Sequence, residues 1–314
     1  MGTFIGHISP GIAFLSFGLL YAVRFSSLLA RGQRTLCLPG AARSPGVRGC
    51  VGRVPAEGVM KVVYSTVAVL AEFFYPPGVD KLHLYNPDKP GYPFIHPNEW
   101  QHATMYAYFA LSGWVDIISQ ACLPRRVHLC ERVAIALPFY IEALLLYHHA
   151  HGKQQVESTV HSLLLLACLL VCVVLTAELW RPNEPLLWFA KTCLVMVKGS
   201  WLLHAAFILY RPFLGQPWAD GDMANLMFLT NFFCWHLALN ASLLLAIYWF
   251  TALWLSRCRC RRRRRLAGAN AAFHHAKDAL VFNLPTTGGT TSRVEYHAVR
   301  AAEEETHLLQ ECEP

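Results

Sequence analysis

Seven stretches of about 20 mostly apolar residues, the length that crosses the hydrocarbon core of a bilayer, constrain this chain more than anything else in it. They lie at approximately 4–23, 58–76, 102–122, 132–150, 159–180, 186–210 and 225–255. A chain that is 54% hydrophobic and only 15% charged belongs to the membrane class rather than among soluble domains. The expected fold is therefore all-α, a seven-helix transmembrane bundle over residues 1–257, with a basic and then acidic, disordered tail over 258–314. No basic residue precedes the first apolar run, so it is kept as a helix and not as a cleavable signal peptide.

Orientation follows from the arginines and lysines of the connections. With the N-terminus luminal or extracellular, Arg24, Arg31, Arg34, Arg43, Arg48, Arg53, Arg125, Arg126, Arg132, Arg181, Arg257, Arg259 and Arg261 to Arg265 face the cytosol, 17 in all, against Lys81, Lys89, Lys153 and Arg211 outside, which is 4. The net charge of +7 is thus a topology signal, and no nucleic-acid partner is expected; the expected partners are membrane lipids and the anionic headgroups of the inner leaflet. No cysteine falls in an outer loop, so no luminal disulfide framework is implied. Cys258 and Cys260, directly after the last span, suit palmitoylation or are plain free thiols. In the tail, Glu304 with Leu308 and Leu309 matches an acidic dileucine pattern, and Tyr296 with Val299 matches a tyrosine-based one. Both patterns are read by clathrin adaptors, which places Golgi, endosomal or lysosomal membranes ahead of the plasma membrane. The outer connection 76–100 interleaves six prolines with aromatic residues and is expected to form a fixed, turn-rich cap.

The polar residues inside the spans carry what chemistry there is. Glu142 sits near the middle of the fourth span, where an unpaired charge costs roughly 2.5–3.5 kcal/mol on insertion scales. Lys198 lies at matching depth on the sixth span and is the expected partner. Lys61 and Lys191 lie near inner ends and are expected to snorkel. Ten histidines, His7, His83, His96, His102, His148, His149, His151, His161, His204 and His236, fall in the outer half or the outer cap. Helical spacing puts Glu142 and His149 on one stripe, and Asn225, His236 and Asn240 on another. His102 and Asp116 take similar faces of the third span, about 21 Å apart at 1.5 Å per residue. The expected polar core is Glu142, Lys198, Asp116, His149, Asn225 and Asn240. Neutral imidazoles suit zinc, and His102, His148, His151 and His236 are the candidate ligands if they meet across helices. A proton relay or pH sensor, a cleft for a small molecule, and histidines that merely tie helices together are the other readings. No G-x-S-x-G, Walker A loop, G-x-G-x-x-G or C-x-x-C is present.

Several ordered motifs also look familiar: Gly6-His7 with Pro10-Gly11, Leu82-His83-Leu84-Tyr85, Trp100-Gln101-His102, Tyr147-His148 with His151, His161-Ser162-Leu163-Leu164, Ala224-Asn225-Leu226-Met227-Phe228 and Cys234-Trp235-His236. Together they resemble the transmembrane protein 45 family, which falls under a domain of unknown function. The resemblance covers nearly the whole membrane region and implies a multi-pass membrane protein, with some relatives in the Golgi and endolysosomal system, and no established reaction. The inner loop at 31–57 is richer in arginine and glycine, and the tail longer, than the family pattern. Seven-span hydrolases of the alkaline ceramidase and adiponectin-receptor type resemble this chain in helix count, but where they carry a paired H-x-x-x-H on the last span this chain has His236 and Asn240. The leading expectation is a non-enzymatic membrane protein whose luminal-half polar core binds or senses a small ligand or protons. An intramembrane metal-dependent lipid hydrolase and a proton-coupled transporter are the alternatives.

Overall fold

A computed structural model describes residues 3–32, 55–123, 125–150, 152–213 and 215–282. Within them the regular structure is helical: α1 (Phe4–Ala30), α2 (Ala56–Phe74), α3 (Pro97–Ile117), α4 (His128–His149), α5 (Gln155–Trp180), α6 (Pro185–Tyr210) and α7 (Met223–Phe282). By contacts the chain divides after Ser256 into two compact units. Four helices, α1, α5, α6 and the Met223–Arg261 part of α7, are long and apolar enough to cross a membrane. The other three carry more charge, such as Glu57, Lys61 and Glu72 on α2 and Glu131 and Glu142 on α4. Those charges turn out to be paired inside the fold.

Local sequence sets the ends of these helices. The Thr3 hydroxyl accepts the Gly6 amide at 3.0 Å and caps α1. Proline opens both α3 and α6, where its missing N–H has no helical partner to lose. α3 does not stop at Ile117 but loosens into a π-helical turn, Ile118–Cys122, just after Asp116. The stretch between α2 and α3 is ordered as its prolines suggest. Asn86 N donates to Pro93 O at 3.0 Å and Ile95 N to Leu84 O at 2.9 Å, closing a small bridge between Tyr85 and Phe94. Lys81 Nζ ties this cap to the end of α2 through the carbonyls of Glu72 and Tyr75. One expectation fails here: α7 stays helical to Phe282, where irregular chain was expected from the start of the tail. Residues 261–282 are rich in Arg and Ala, both strong helix formers, so backbone preference carries the helix on without an apolar face.

The helices of the first unit form a ring in chain order, α1 beside α2, then α3, α4, α5 and α6, with α6 closing back on α1. Inside lipid, apolar burial adds little drive for helices to associate, so close approach and buried hydrogen bonds must hold them. The α1–α6 seam shows the first device. A methyl group on Gly199 would lie 2.5 Å from the Leu15 amide nitrogen and 2.9 Å from the Gly11 carbonyl oxygen. Gly58 and Gly113 let α2 and α3 approach in the same way. The second device appears at Trp201 and Trp188, both fully buried, whose indole N–H groups donate to the carbonyls of Val160 and Pro182. α7 joins the ring on α6, through Leu229, Phe233 and Leu244 against Trp201, Leu202 and Ala205.

Candidate functional site

A cavity of about 230 Å³ lies inside the ring and is bordered by residues of α1 to α6. Because consecutive helices alternate in direction, one end of it gathers residues near the start of α1, α3 and α5 and the end of α4. The other end gathers the reverse set. The waist between them is aromatic: Phe109 meets Phe14 and Phe139 edge to face, with Phe14 and Phe109 ring centres 5.6 Å apart.

At mid-depth Lys198 Nζ donates to Glu142 Oε2 at 2.6 Å, the partner that equal depth assigned to it. Lys198 is fully buried and Glu142 is 7% exposed. The ammonium also stands 4.4 Å from the centre of the Phe14 ring and 4.7 Å from that of Phe139, where ring faces stabilise a cation. Two buried ions brought together by α4 and α6 so satisfy each other, and Glu142 forms part of the cavity wall.

The histidine end holds four imidazoles in a row. Ring centres are 5.1 Å apart for His102 and His149, 5.3 Å for His149 and His161, and 5.6 Å for His161 and His7. Each uses Nδ1 on an oxygen: His7 on Thr3 O at 3.2 Å, His161 on Glu157 O at 2.7 Å, His149 on Gln101 Oε1 at 3.1 Å and His102 on Glu72 Oε1 at 3.2 Å. Lys153 and Glu157 form an ion pair beside them.

The opposite end is a network of ion pairs. Glu57 accepts from the Tyr21 hydroxyl at 2.6 Å, from Arg24 at 3.2 Å and from Lys61 at 3.0 Å. Lys61 also reaches Asp116 at 2.7 Å. Lys191 contacts both oxygens of Glu178, and Arg126 grips Glu131 through two parallel N–H groups. Lys61 and Lys191 therefore do not snorkel. Lys61 is 4% exposed because carboxylates from its own helix and from α3 meet it inside the ring. Glu57, Glu131 and Glu178 were not picked out from the sequence. The signal was there in Glu57 and Lys61 at i,i+4 and in cations placed inside spans, which call for a carboxylate somewhere.

Other sequence assignments come apart. Asp116, expected in the polar core and far along α3 from His102, is buried and meets Lys61. Asn225 does not join the polar core; its side chain donates to Ala219 O at 3.1 Å, in the turn before α7. Asn240 is buried and donates to Ser200 Oγ at 2.8 Å. His236 meets Ser200 Oγ and His204 Nδ1, each at 3.0 Å, a polar seam between α6 and α7. It does not meet His102, which lies across the ring. His148 is exposed and packs edge-on against Tyr147. His151, Tyr296, Val299, Glu304, Leu308 and Leu309 lie outside the described residues. His102, His148 and His236 thus do not come together, and among the described residues no three His, Cys, Asp or Glu side chains stand ready around one ion position. The thiols of Cys258 and Cys260 are free and exposed on α7.

Comparison with known proteins adds a lineage to this geometry. The sequence profile of a family of unknown function (DUF716) matches residues 129–249. Over 285 residues the chain is 36% identical to transmembrane epididymal protein 1 of Rattus norvegicus, across 90% of this chain and 92% of that protein. It is 37% identical, with the same coverage, to transmembrane epididymal protein 1A of Mus musculus. Against transmembrane epididymal protein 1 of Homo sapiens the identity is 47% over 161 residues, 51% of this chain and 59% of that one.

Proposed function

The chain belongs to the DUF716 family of helical membrane proteins, the transmembrane protein 45 family, and from that premise we propose that it binds a small ligand inside its helix ring. The observation that carries this reading is the cavity itself, polar at both ends and aromatic at its waist. A solid bundle would fill that space with side chains, as the cores around Trp201 and Phe139 do. The volume falls below the roughly 300–1,000 Å³ of drug-sized sites, which favours a small or slender molecule. In this reading all seven helices span the membrane, the N-terminus and the histidine end are luminal, and the tail is cytosolic and routes the protein to Golgi, endosomal or lysosomal membranes.

A second reading, a proton-coupled transporter, is favoured by one observation: titratable groups line the cavity from end to end, with Glu142 between the histidines and the ion-pair network. Both readings are favoured over the hydrolase one, because His102, His148 and His236 face different neighbours. Mass spectrometry of small molecules retained by the purified full chain tests the binding reading. A compound retained near stoichiometry should be lost from Ala68→Trp or Ala13→Phe, which fill the cavity, as long as the variants stay monodisperse. Nothing retained, or the same compounds retained by the filled variants, would overturn it.

A further inference from the structure

We propose that the histidine half of the cavity takes an organic ammonium, the head of a slender aliphatic amine whose apolar stem lies along the aromatic waist. This names the chemical class of the ligand and rests on the binding reading above. The partners of the imidazoles fix their protons. Each Nδ1 meets an oxygen that accepts: backbone carbonyls for His7 and His161, the amide oxygen of Gln101 for His149 and a carboxylate oxygen of Glu72 for His102. A neutral imidazole that donates through Nδ1 keeps a lone pair on Nε2. No hydrogen bond occupies Nε2 in any of the four rings, and all four residues border the cavity. Among the described residues, the polar side-chain atoms sealed away without a partner belong to Trp100 and Ser112, so these four nitrogens open onto free space.

The carboxylate deeper in this half points the same way. Glu142 borders the cavity and Lys198 does not, so the buried pair turns its negative end toward the space. Lys198 holds Oε2, and no hydrogen bond occupies Oε1. The cations that do border the cavity, Arg24, Lys61, Arg126, Arg132 and Lys191, all lie at the opposite end. Ser9 and Tyr106 supply hydroxyls that turn to donate or accept as a ligand requires.

This half therefore offers lone pairs and one carboxylate, and its complement is a group made of donors. A primary ammonium has three N–H groups and no acceptor, and it leaves water readily only where acceptors replace its hydration. The imidazoles need not move to provide them, since every Nδ1 bond stays in place. An anion would face lone pairs and a carboxylate with no cation beside it. Phe14, Phe109 and Phe139, with Leu146 and Leu164, suit the apolar stem. An ammonium of this kind reaches the protein on a free aliphatic amine or on an amine-bearing lipid head, and the test carries a probe of each.

Calorimetric titration of the full chain in an uncharged detergent compares hexylammonium with hexan-1-ol and hexanoate, and lysophosphatidylethanolamine with lysophosphatidic acid. At least one ammonium probe should bind about tenfold or more tighter than its controls, the scale of a hydrogen bond to a charged group. A response to hexylammonium alone assigns a free amine, and a response to the phospholipid a lipid head. His149→Phe, and Glu142→Leu combined with Lys198→Met, should each weaken the ammonium probe about tenfold or more and leave hexan-1-ol unchanged. His204→Ala, in the α6–α7 seam, should change nothing. The comparison of probes on the unsubstituted chain decides the matter even where a variant fails to fold. If neither ammonium probe exceeds its controls, or the compounds retained by the purified chain are anionic or neutral, the assignment is overturned while the cavity reading stands. A chain that retains nothing and binds no probe overturns both.

Discussion

Removing one member of the Lys198–Glu142 pair should damage the protein far more than removing both. At the observed separation of 2.6 Å and an effective dielectric of about 20, two unit charges attract by about 6 kcal/mol. Most of that offsets the cost of taking two ions out of solvent, so the pair adds little net stability compared with a well-packed apolar pair. Cutting it in half is different: the remaining charge stays buried beside Phe14 and Phe139 with no counter-ion, at a cost of about 3–5 kcal/mol. Lys198→Met and Glu142→Leu should each lose about that much. The double variant should recover at least half, because methionine sulfur packs well against the two rings that now face the ammonium. Unfolding of the purified full chain in detergent, followed by chemical titration at neutral pH, gives all four corners of the cycle. A double variant as unstable as the sum of the singles would refute the reasoning and mean that the two ions act separately.

Two further outcomes follow from other parts of the molecule. Gly199→Ala should destabilise by about 1–3 kcal/mol, because its new methyl meets backbone atoms of α1 that cannot turn away, whereas Gly268→Ala, with open space around it, should be neutral or stabilising; the same unfolding titration reads both. Replacing Leu308 and Leu309 by alanine should move tagged protein from intracellular membranes to the cell surface by fluorescence microscopy, and a distribution identical to the unsubstituted chain would remove the sorting assignment.

How far the sequence could be read depended on the kind of residue. Apolar length and periodicity marked α2 to α6 to within about five residues at each end, because both are properties of contiguous chain; they missed the last turns of α1 and the long polar extension of α7, which no apolar run announces. Glu142 and Lys198 could be matched from depth alone, since each is the sole charge near the middle of its span. Lys61 could not, because its carboxylates come from one turn away on α2 and from the far end of α3, and the register between two helices is not written in either. His102, His149 and His161 were all visible as outer-half histidines. Grouping them, rather than His102 with His236, required knowing that α7 packs on α6 outside the cavity.

By itself, then, the sequence determined the membrane class, the helices, the end of each helix that carries imidazoles and the need of Glu142 for a cation. Those follow from the cost of burying charge and from helical periodicity, which act along a single segment. Only the tertiary structure decided that six helices close around a cavity, that four histidines form one row with each Nδ1 on an oxygen, and that the other end is knit by ion pairs. Those depend on which faces meet, and the glycine contacts and packing that settle it lie between segments far apart in the chain.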